Sequence, residues 1–297
     1  MSAPPNYLAR YDRMSEAAAA QVIATYSTSF SLAARLLAPT ERRDIRNLYA
    51  VVRVADEIVD GAAAAAQEDP AALLDAYERA VLDAPRVRFH TDPVLHAYAA
   101  TARRCGFDPE HVRAFFASMR RDLTQTRYSP GEFAQYVYGS AEVIGLMCLS
   151  VFLAGREVSA AERARMEEGA RSLGSAFQKI NFLRDFGEDR DALGRSYFPE
   201  VGKLVLDDAT KRDLITSIRA ELDDARAAIP LLPGSARPAV AAAEALFRDL
   251  TDMVDATPAD RLATARISVP TRRKVELTAR AAAGQLRRPA SKKGPRP

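Results

Sequence analysis

The chain has 297 residues, of which 48% are hydrophobic, and its formal net charge at pH 7 is +3. A chain of this length can bury a large core, and so small a net charge gives no whole-protein argument for binding nucleic acid. The two cysteines, Cys105 and Cys148, lack metal-ligand spacing, which favours packed thiols in a reducing compartment over a disulfide.

Helix-forming residues dominate the sequence. Alanine runs at 17–20 and 62–66, and the scarcity of alternating Val, Ile and Thr, argue against a substantial sheet. Prolines and glycines divide the chain into segments of helical length. We predict about ten helices, near residues 13–37, 41–61, 70–83, 92–104, 109–125, 130–154, 160–189, 208–229, 236–255 and 259–285. No linker interrupts them, so residues 1–285 are predicted to form a single all-α domain, a helical bundle with its site in the core.

The end of the chain has a different composition. Residues 286–297 are rich in Arg, Lys and Pro, which predicts a disordered basic tail. Such a tail either increases solubility or attracts anionic lipid, by roughly 1 kcal/mol per basic residue near the surface. The longest apolar stretch, residues 143–154, is shorter than the roughly 20 residues of a membrane-spanning helix, and the N-terminal residues lack signal-peptide architecture. We therefore expect a cytoplasmic protein, either soluble or peripheral at the inner face of the membrane.

Two predicted helices each carry aspartates four residues apart, Asp56/Asp60 and Asp185/Asp189. Residues i and i+4 share one face of a helix, so each pair places two carboxylates side by side. Like charges at this spacing destabilise a helix by roughly 0.2–0.5 kcal/mol, and another interaction has to compensate. Hard divalent cations favour oxygen ligands, and Mg²⁺ usually takes one or two carboxylates together with water and substrate phosphate. The pairs predict an Mg²⁺–diphosphate site; the alternative is two solvated acidic faces.

Further polar residues fall on the same two helix faces. Tyr49 and Arg53 precede the first aspartate pair at helical spacing, and Gln178 and Asn181 precede the second. The residues that flank these stripes are mostly apolar, which indicates buried helices. Because polar groups inside a bundle are costly unless they are satisfied, we predict a buried polar cavity that holds metal. For Arg53 a structural salt bridge to the acid one turn away is a second interpretation, and both can hold.

Several segments, in the same order, resemble the squalene/phytoene synthase family, whose members join two prenyl diphosphates head to head. These segments are YSTSFSLAARLL at 26–37, RRDIRNLYAVVRVADEIVD at 42–60, YVYGSAEVIGLMCL at 136–149, SAFQKINFLRDFGEDRDALGRSYFP at 175–199 and RISVPTRRKVELTARA at 266–281. The resemblance implies an all-α fold of the isoprenoid synthase type with a central cavity. It also implies a requirement for Mg²⁺, with Mn²⁺ as a substitute.

The resemblance assigns roles to individual residues. The implied metal ligands are Asp56, Asp60, Asp185 and Asp189. The implied contacts to diphosphate are Arg53, Arg184, Arg266, Ser27 and Ser29, and the implied polar lining is Gln178 and Asn181. Phe30 and Tyr136 match cavity positions of the family, whereas Tyr49, Phe182 and Tyr138 are either cavity or core residues. Glu142 stands where the family often has glycine, and its carboxylate has no evident role: it could bind solvent, pair with an arginine or adjust the site.

The implied reaction ionises one allylic diphosphate, lets the double bond of a second molecule attack the cation to form a cyclopropyl diphosphate, then ionises and rearranges that product, which loses a proton to give phytoene. The small residues Ala33 and Ala34 after Phe30 leave room for a long prenyl tail, which favours the C20 substrate geranylgeranyl diphosphate over the C15 substrate. No NADPH is expected, and no Gly-rich dinucleotide fingerprint is present. Other carotenoid-pathway enzymes are candidate partners.

Three alternatives stay open. One is squalene or dehydrosqualene synthesis from farnesyl diphosphate, with NADPH in the squalene-forming branch. A second is a catalytically inactive relative that serves as an assembly or membrane scaffold, although two self-repelling aspartate pairs argue against it. The third is a prenyl chain elongase, which would usually have denser Asp-Asp clusters.

Overall fold

A computed structural model describes residues 6–187, 197–199 and 206–286, and within these ranges the chain is helical with no β-strand. The helices are Tyr7–Tyr26 (α1), Thr28–Ala34 (α2), Pro39–Val59 (α3), Ala62–Ala65 (α4), Pro70–Asp83 (α5), Pro93–Cys105 (α6), Pro109–Asp122 (α7), Pro130–Val137 (α8), Val143–Leu153 (α9), Ala160–Arg184 (α10), Asp208–Ala228 (α11), Arg237–Asp255 (α12), Ala259–Leu262 (α13) and Thr271–Leu286 (α14). Short 3₁₀ turns follow α5 and α11, and a π-helical segment, Tyr138–Glu142, joins α8 to α9. The predicted all-α class is confirmed.

Local sequence explains where many helices begin. The side chains of Asp69, Asp92 and Asp108 accept backbone N–H groups at the starts of α5, α6 and α7, and each is followed by a proline. An acceptor at the N-cap and proline in the first turn satisfy the unpaired N–H groups without a steric cost. Ser129 and Ser159 form capping boxes at the starts of α8 and α10. At the starts of α5, α6 and α7, the proline that divides the sequence is the first residue of a helix.

Two predicted helices are interrupted in the structure. The segment 13–37 is divided at Ser27, which has left the helical conformation and whose Oγ accepts the N–H of Phe30 at 3.2 Å to cap α2. The segment 259–285 consists of α13 and α14, which are separated by residues 263–270. In both places a cap or a loop replaces the continuous helix that composition predicted.

The helix predicted over 160–189 ends earlier than expected. Its last residue is Arg184, and Asp185 is the C-cap with φ −96° and ψ 9°. Arg184 and Arg266 hold the Asp185 carboxylate, and Gly187 packs against the backbone of Ala263. These contacts override the helical period, so the prediction that α10 continues unbroken through the second aspartate pair is wrong.

Two helical layers form the core around a central space. In one, α3 packs against α1, α5, α6 and α7; in the other, α10 packs against α9, α11, α12 and the π-helical segment. Gly174 of α10 allows the close approach to that segment, because a Cβ there would lie 2.5 Å from the Ala141 carbonyl oxygen. The stretch Pro130–Leu153 is long and apolar enough to cross a membrane, which the sequence estimate did not expect. In the fold, however, 61% of its most apolar window is buried, as in a core helix.

The predicted basic tail falls almost wholly outside the described residues. Leu286 is the last described residue of α14. Residues 287–297 lie outside the described part of the chain.

Candidate active site: a cavity with one polar and one apolar end

A cavity of about 520 Å³ lies between α3, α10 and the helices α8 and α9. Its lining runs along α3 from Ile45 to Asp60 and along α10 from Met166 to Asp185, a length of roughly 20–30 Å at the helical rise per residue. We call the end near the aspartates the polar end. The polar end is lined by Arg53, Asp56, Asp60, Asp122, Tyr136, Asn181, Arg184 and Asp185; the opposite, apolar end is lined by Ala34, Leu37, Leu149, Phe152, Met166, Leu232 and Ala239.

The aspartates of the polar end lie where helices terminate. Asp60 is the C-cap of α3, and its N–H donates to the carbonyl of Asp56 at 2.8 Å. Asp185 is the C-cap of α10, and its N–H donates to the carbonyl of Asn181 at 2.9 Å. The C-terminal end of a helix carries partial negative charge, which favours cations and disfavours carboxylates. Both helices therefore concentrate negative potential where a cation would be stabilised.

Asp56 is the carboxylate most strongly affected by this environment. Burial, followed by the charge of Asp60, raises its pKa to about 8, against an ordinary value of 3.8. Arg53 partly opposes the effect. Without a cation the carboxyl group is held largely protonated at neutral pH, and a bound cation would favour its ionised form.

Arg53 holds the first aspartate pair together. Its guanidinium nitrogens lie 3.6 Å from Asp56 and 3.8 Å from Asp60, and it also donates to Glu57. The guanidinium stacks over the Tyr26 ring at 4.4 Å, a cation–π contact. The structural salt bridge expected for Arg53 is thus present, and the residue also lines the cavity.

Asp185 is neutralised by two of the arginines predicted to contact diphosphate. Arg184 Nε donates to its carboxylate at 2.8 Å, and Arg266 Nε lies 2.9 Å from the same oxygen. Arg184 lines the cavity, whereas Arg266 is largely exposed and does not. An anion that entered the polar end would therefore lie close to the positively charged side chains of Arg184 and Arg266.

The structure brings most of the predicted site residues to the cavity. Those that line it are Phe30, Ala34, Tyr49, Arg53, Asp56, Asp60, Tyr136, Gln178, Asn181, Phe182, Arg184 and Asp185. Ser27, Ser29, Arg266 and Tyr138 do not line it, and Asp189 lies outside the described residues. Ser27 instead caps α2 and shares a hydrogen bond with Tyr49, whose pKa burial raises to about 12.

Glu142 does not line the cavity. Its carboxylate accepts a hydrogen bond from Arg171 Nε at 2.6 Å, and the Arg171 guanidinium lies over the Tyr138 ring at 5.5 Å. Of the three roles left open for Glu142, pairing with an arginine is the one observed.

Asp122 is a buried lining residue that sequence reasoning missed. The Tyr136 hydroxyl donates to both of its carboxylate oxygens, at 2.8 and 2.9 Å, and its charge contributes to the raised pKa of Asp56. Burial, and then Asp122, raise the pKa of Tyr136, so its phenol stays neutral. Asp122 has no acidic residue four positions before or after it, so the search for aspartate pairs did not find it. The only unusual feature of its sequence is its position after two arginines near the end of a predicted helix.

Aromatic rings form two walls between the ends of the cavity. Phe30 lies 5.9 Å from Phe177 and 5.7 Å from Phe247, which stack on each other at 3.6 Å. On the other side Phe182 stacks on Tyr197 at 3.9 Å, and Tyr136 lies 5.9 Å from Phe182. Aromatic faces carry negative potential and attract cations without attacking them.

The donor set of the polar end fits a hard divalent cation. Asn181 Oδ1 is buried and has no hydrogen-bond partner among the described residues, and a cation would satisfy it together with the carboxylates of Asp56, Asp60 and Asp185. Within the described ranges no group of three or more His, Cys, Asp or Glu side chains converges as a closed metal site. An ion there would need water or phosphate oxygens to complete its coordination, which is how Mg²⁺ is usually held.

Comparison with known proteins identifies a family and related sequences. The family model described as squalene/phytoene synthase matches residues 23–201. Phytoene synthase 3, chloroplastic, of Zea mays is 36% identical over 184 residues, which cover 61% of this chain and 41% of the relative. Phytoene synthase of Pseudescherichia vulneris is 32% identical over 188 residues, which cover 61% of this chain and 58% of the relative. The chain thus spans about half the length of these two relatives.

A solved structure has the same fold. The crystal structure of a dehydrosqualene synthase in complex with ligand superimposes with a TM-score of 0.77 and covers 94% of this chain and 99% of that one, at 22% sequence identity. This confirms the predicted isoprenoid synthase type of fold, an α-helical bundle with a central cavity.

Replacing Asp56 with asparagine should stabilise the metal-free protein in a pH-dependent way. Below about pH 4 the carboxyl group is protonated in both the folded and the unfolded state, so its raised pKa does not change the free energy of unfolding. Between about pH 4 and pH 8 only the folded state keeps the proton, so wild-type stability falls as pH rises, and above pH 8 the full cost remains. The difference in free energy of unfolding between Asp56→Asn and wild type should grow from pH 4 to pH 8 in EDTA, measured by urea denaturation.

The matched control is Asp83→Asn, which makes the same change at an exposed surface ion pair with Arg86. This control should change the free energy of unfolding by a few tenths of a kcal/mol at most. A pH-independent difference for Asp56→Asn, or loss of stability in that variant, would contradict the assignment of Asp56 as a partly buried carboxylate whose ionised form is disfavoured beside Asp60.

Proposed function

We propose that this chain, which belongs to the squalene/phytoene synthase family, condenses two molecules of geranylgeranyl diphosphate head to head to form phytoene. The proposed reaction passes through a cyclopropyl diphosphate, and residues 1–285 are taken as the prenyltransferase domain. The observation that carries the proposal is the division of one cavity into a carboxylate-rich polar end and a long apolar end. A prenyl diphosphate has the same division.

The polar end is proposed to bind diphosphate through metal and arginine. Asp56, Asp60, Asp185 and, outside the described residues, Asp189 would hold Mg²⁺ or Mn²⁺, with the orphaned Asn181 Oδ1 and the cavity-lining Gln178 beside them. When bound, the metal would supply positive charge to the oxygens of the leaving diphosphate. Arg53, Arg184 and Arg266 would add fixed positive charge at the same border, where it lowers the barrier to departure most. Ser27 would act through its hydrogen bond with Tyr49, which lines the cavity, and Ser29 is proposed as a further contact to diphosphate.

The aromatic walls are proposed to stabilise the carbocation left behind. Phe30 and Phe182 line the cavity and are backed by stacked rings, so their faces are fixed in position. Tyr136 is held by Asp122 in the neutral form, which keeps a strong nucleophile away from the cation. Apolar walls exclude the water that would quench the intermediate.

The apolar end is proposed to set the length of the substrate. Ala34 is 3% exposed and lies in the cluster that contains Leu37, Phe152, Met166 and Leu232, away from the carboxylates. Its small side chain leaves the space open beyond Phe30. This position supports the preference for a C20 over a C15 chain.

The proposed product also indicates where the enzyme would act in the cell. A C40 hydrocarbon is insoluble in water, so a cytoplasmic protein with peripheral contact to the inner face of the membrane would suit its release. Enzymes that act on the same hydrocarbon are proposed as further partners.

A product assay tests the proposed reaction. Purified protein with Mg²⁺ should convert geranylgeranyl diphosphate to phytoene without NADPH, and EDTA or Asp56→Asn should reduce turnover by orders of magnitude while Asp83→Asn does not. Squalene or dehydrosqualene as the main product from farnesyl diphosphate would replace the proposal with the C15 alternative. No hydrocarbon from either substrate, with Mg²⁺ or Mn²⁺, would indicate an inactive scaffold relative.

Enlarging Ala34 should change the preferred chain length. A phenyl group at this position would overpack the apolar end, at a cost of roughly 1–3 kcal/mol that falls on the longer tail first. Ala34→Phe should therefore shift the ratio of kcat/KM for C20 and C15 diphosphates toward C15, with Mg²⁺ dependence retained. Ala34→Ser keeps the small volume and serves as the control that should leave the ratio nearly unchanged. Equal loss of both substrates in Ala34→Phe would show that Ala34 does not set the depth.

A further inference from the structure

A second pocket, of about 180 Å³, lies on the other side of α3 from the cavity. It is bordered by α1, α3, α6 and the segment that leads into α6. On α3 it is lined by Asp44 and Asn47, whereas the cavity is lined by Ile45 and Tyr49. The helix therefore separates the two spaces, and the pocket has no part in the site described above.

The acidic residues of this pocket are already paired. Asp12 is hydrogen-bonded to His96 Nε2 at 2.8 Å, and Glu16 lies 3.4 Å from Arg43. Asp44 is buried, accepts a hydrogen bond from Thr101 at 2.7 Å and pairs with Arg104. Each carboxylate at the pocket has a side-chain partner, which offsets part of its negative charge.

Two arginines at the pocket have no carboxylate at ion-pair distance among the described residues. Neither Arg88 nor Arg103 forms an ion pair within the described part of the chain, although Arg103 donates to the backbone carbonyl of Val87 at 2.7 Å. Burial, and then the charge of Arg88, lower the pKa of Arg103, and the charge of Asp12 only partly opposes them. Two cations that repel each other beside a pocket favour an anion bound between them.

Large apolar side chains are exposed around the same pocket. Leu8 lines it, and Val87 and Phe89, on either side of Arg88, are 49% and 50% exposed. The Phe89 ring lies 5.7 Å from His96, which keeps it at the rim. Exposed apolar residues that flank unpaired arginines are typical of a surface that meets the headgroup region of a membrane.

We propose that this pocket binds the phosphate of an anionic phospholipid, with Arg88 and Arg103 on the phosphate and Leu8, Val87 and Phe89 in the interfacial layer. Asn47 Oδ1 lines the pocket, is buried and lacks a hydrogen-bond partner among the described residues. It can accept a hydrogen bond from a headgroup hydroxyl, such as those of phosphatidylglycerol. The site is independent of the proposed reaction, since it shares no residue with the cavity.

Vesicle flotation with the full chain tests the proposal. Wild type should bind phosphatidylcholine vesicles only when they contain phosphatidylglycerol, and Arg88→Gln should weaken that binding by roughly fivefold, the contribution of one basic residue near an anionic surface. Arg113→Gln removes the same charge from an exposed ion pair with Glu110 on α7, outside the pocket and its apolar rim, and should bind like wild type. The basic residues after 286 are present in every variant, so the comparison isolates the pocket.

A second pair of variants, a test and a control, examines the apolar residues around the pocket. Val87→Ser should weaken vesicle binding, whereas Val275→Ser, at a position that is 51% exposed on α14, should not. Thermal melts would verify that all four variants are folded. Equal binding by Arg88→Gln and Arg113→Gln, or binding that does not depend on phosphatidylglycerol, would overturn the assignment.

Inorganic phosphate distinguishes a lipid from a soluble anion. In EDTA and without vesicles, phosphate should raise the Tm of wild type slightly through the same arginines and not that of Arg88→Gln. Protection by phosphate in a protein that does not bind phosphatidylglycerol vesicles would overturn the lipid assignment in favour of a soluble-anion site.

Discussion

The site depends on an unfavourable arrangement of charge: carboxylates at the C-terminal ends of two helices that border one cavity. Asp60 and Asp185 cap α3 and α10, where the helix dipole adds to their own negative charge. A series of contacts connects the C-terminal part of α3 with that of α10. Asp56 is coupled electrostatically to Asp122, Asp122 accepts a hydrogen bond from Tyr136, and the Tyr136 ring packs near the Phe182 ring on α10. Arginines offset part of this charge, and the remainder is what a divalent cation would neutralise.

The apolar end follows from the same helices. On α3 and α10 the residues that line the cavity change from apolar to polar toward the C-terminus, and α8 and α9 run the other way from Tyr136 to Phe152. Charged groups are therefore confined to one end, and the other end can bury hydrocarbon without burying a charged group. The direction of the helices, as well as the identity of the residues, therefore determines which end of the cavity is polar and which is apolar.

Sequence predicted the parts of the site that are local. Tyr49, Arg53 and Asp56 share one face because helical periodicity depends only on spacing along α3. At the end of α10 the same reasoning was wrong, because tertiary contacts of Asp185 with Arg266 and of Gly187 with Ala263 end the helix.

Two further features could not be read from periodicity. Asp122 was missed because its partner, Tyr136, is fourteen residues away and on another helix. The role of Ser27 as a cap became visible only when α1 and α2 proved to be separate helices.

The most direct test of the account is the thermodynamic coupling between Mg²⁺ and inorganic diphosphate at the polar end. Because the metal needs phosphate oxygens and the diphosphate needs the charge of the metal, the two together should raise the Tm by more than the sum of their separate effects. Asp56→Asn should lose this excess, and Asp83→Asn should keep it. Shifts that are simply additive in wild type, or an excess that survives Asp56→Asn unchanged, would contradict the claim that the carboxylates and a divalent cation form one diphosphate-binding site.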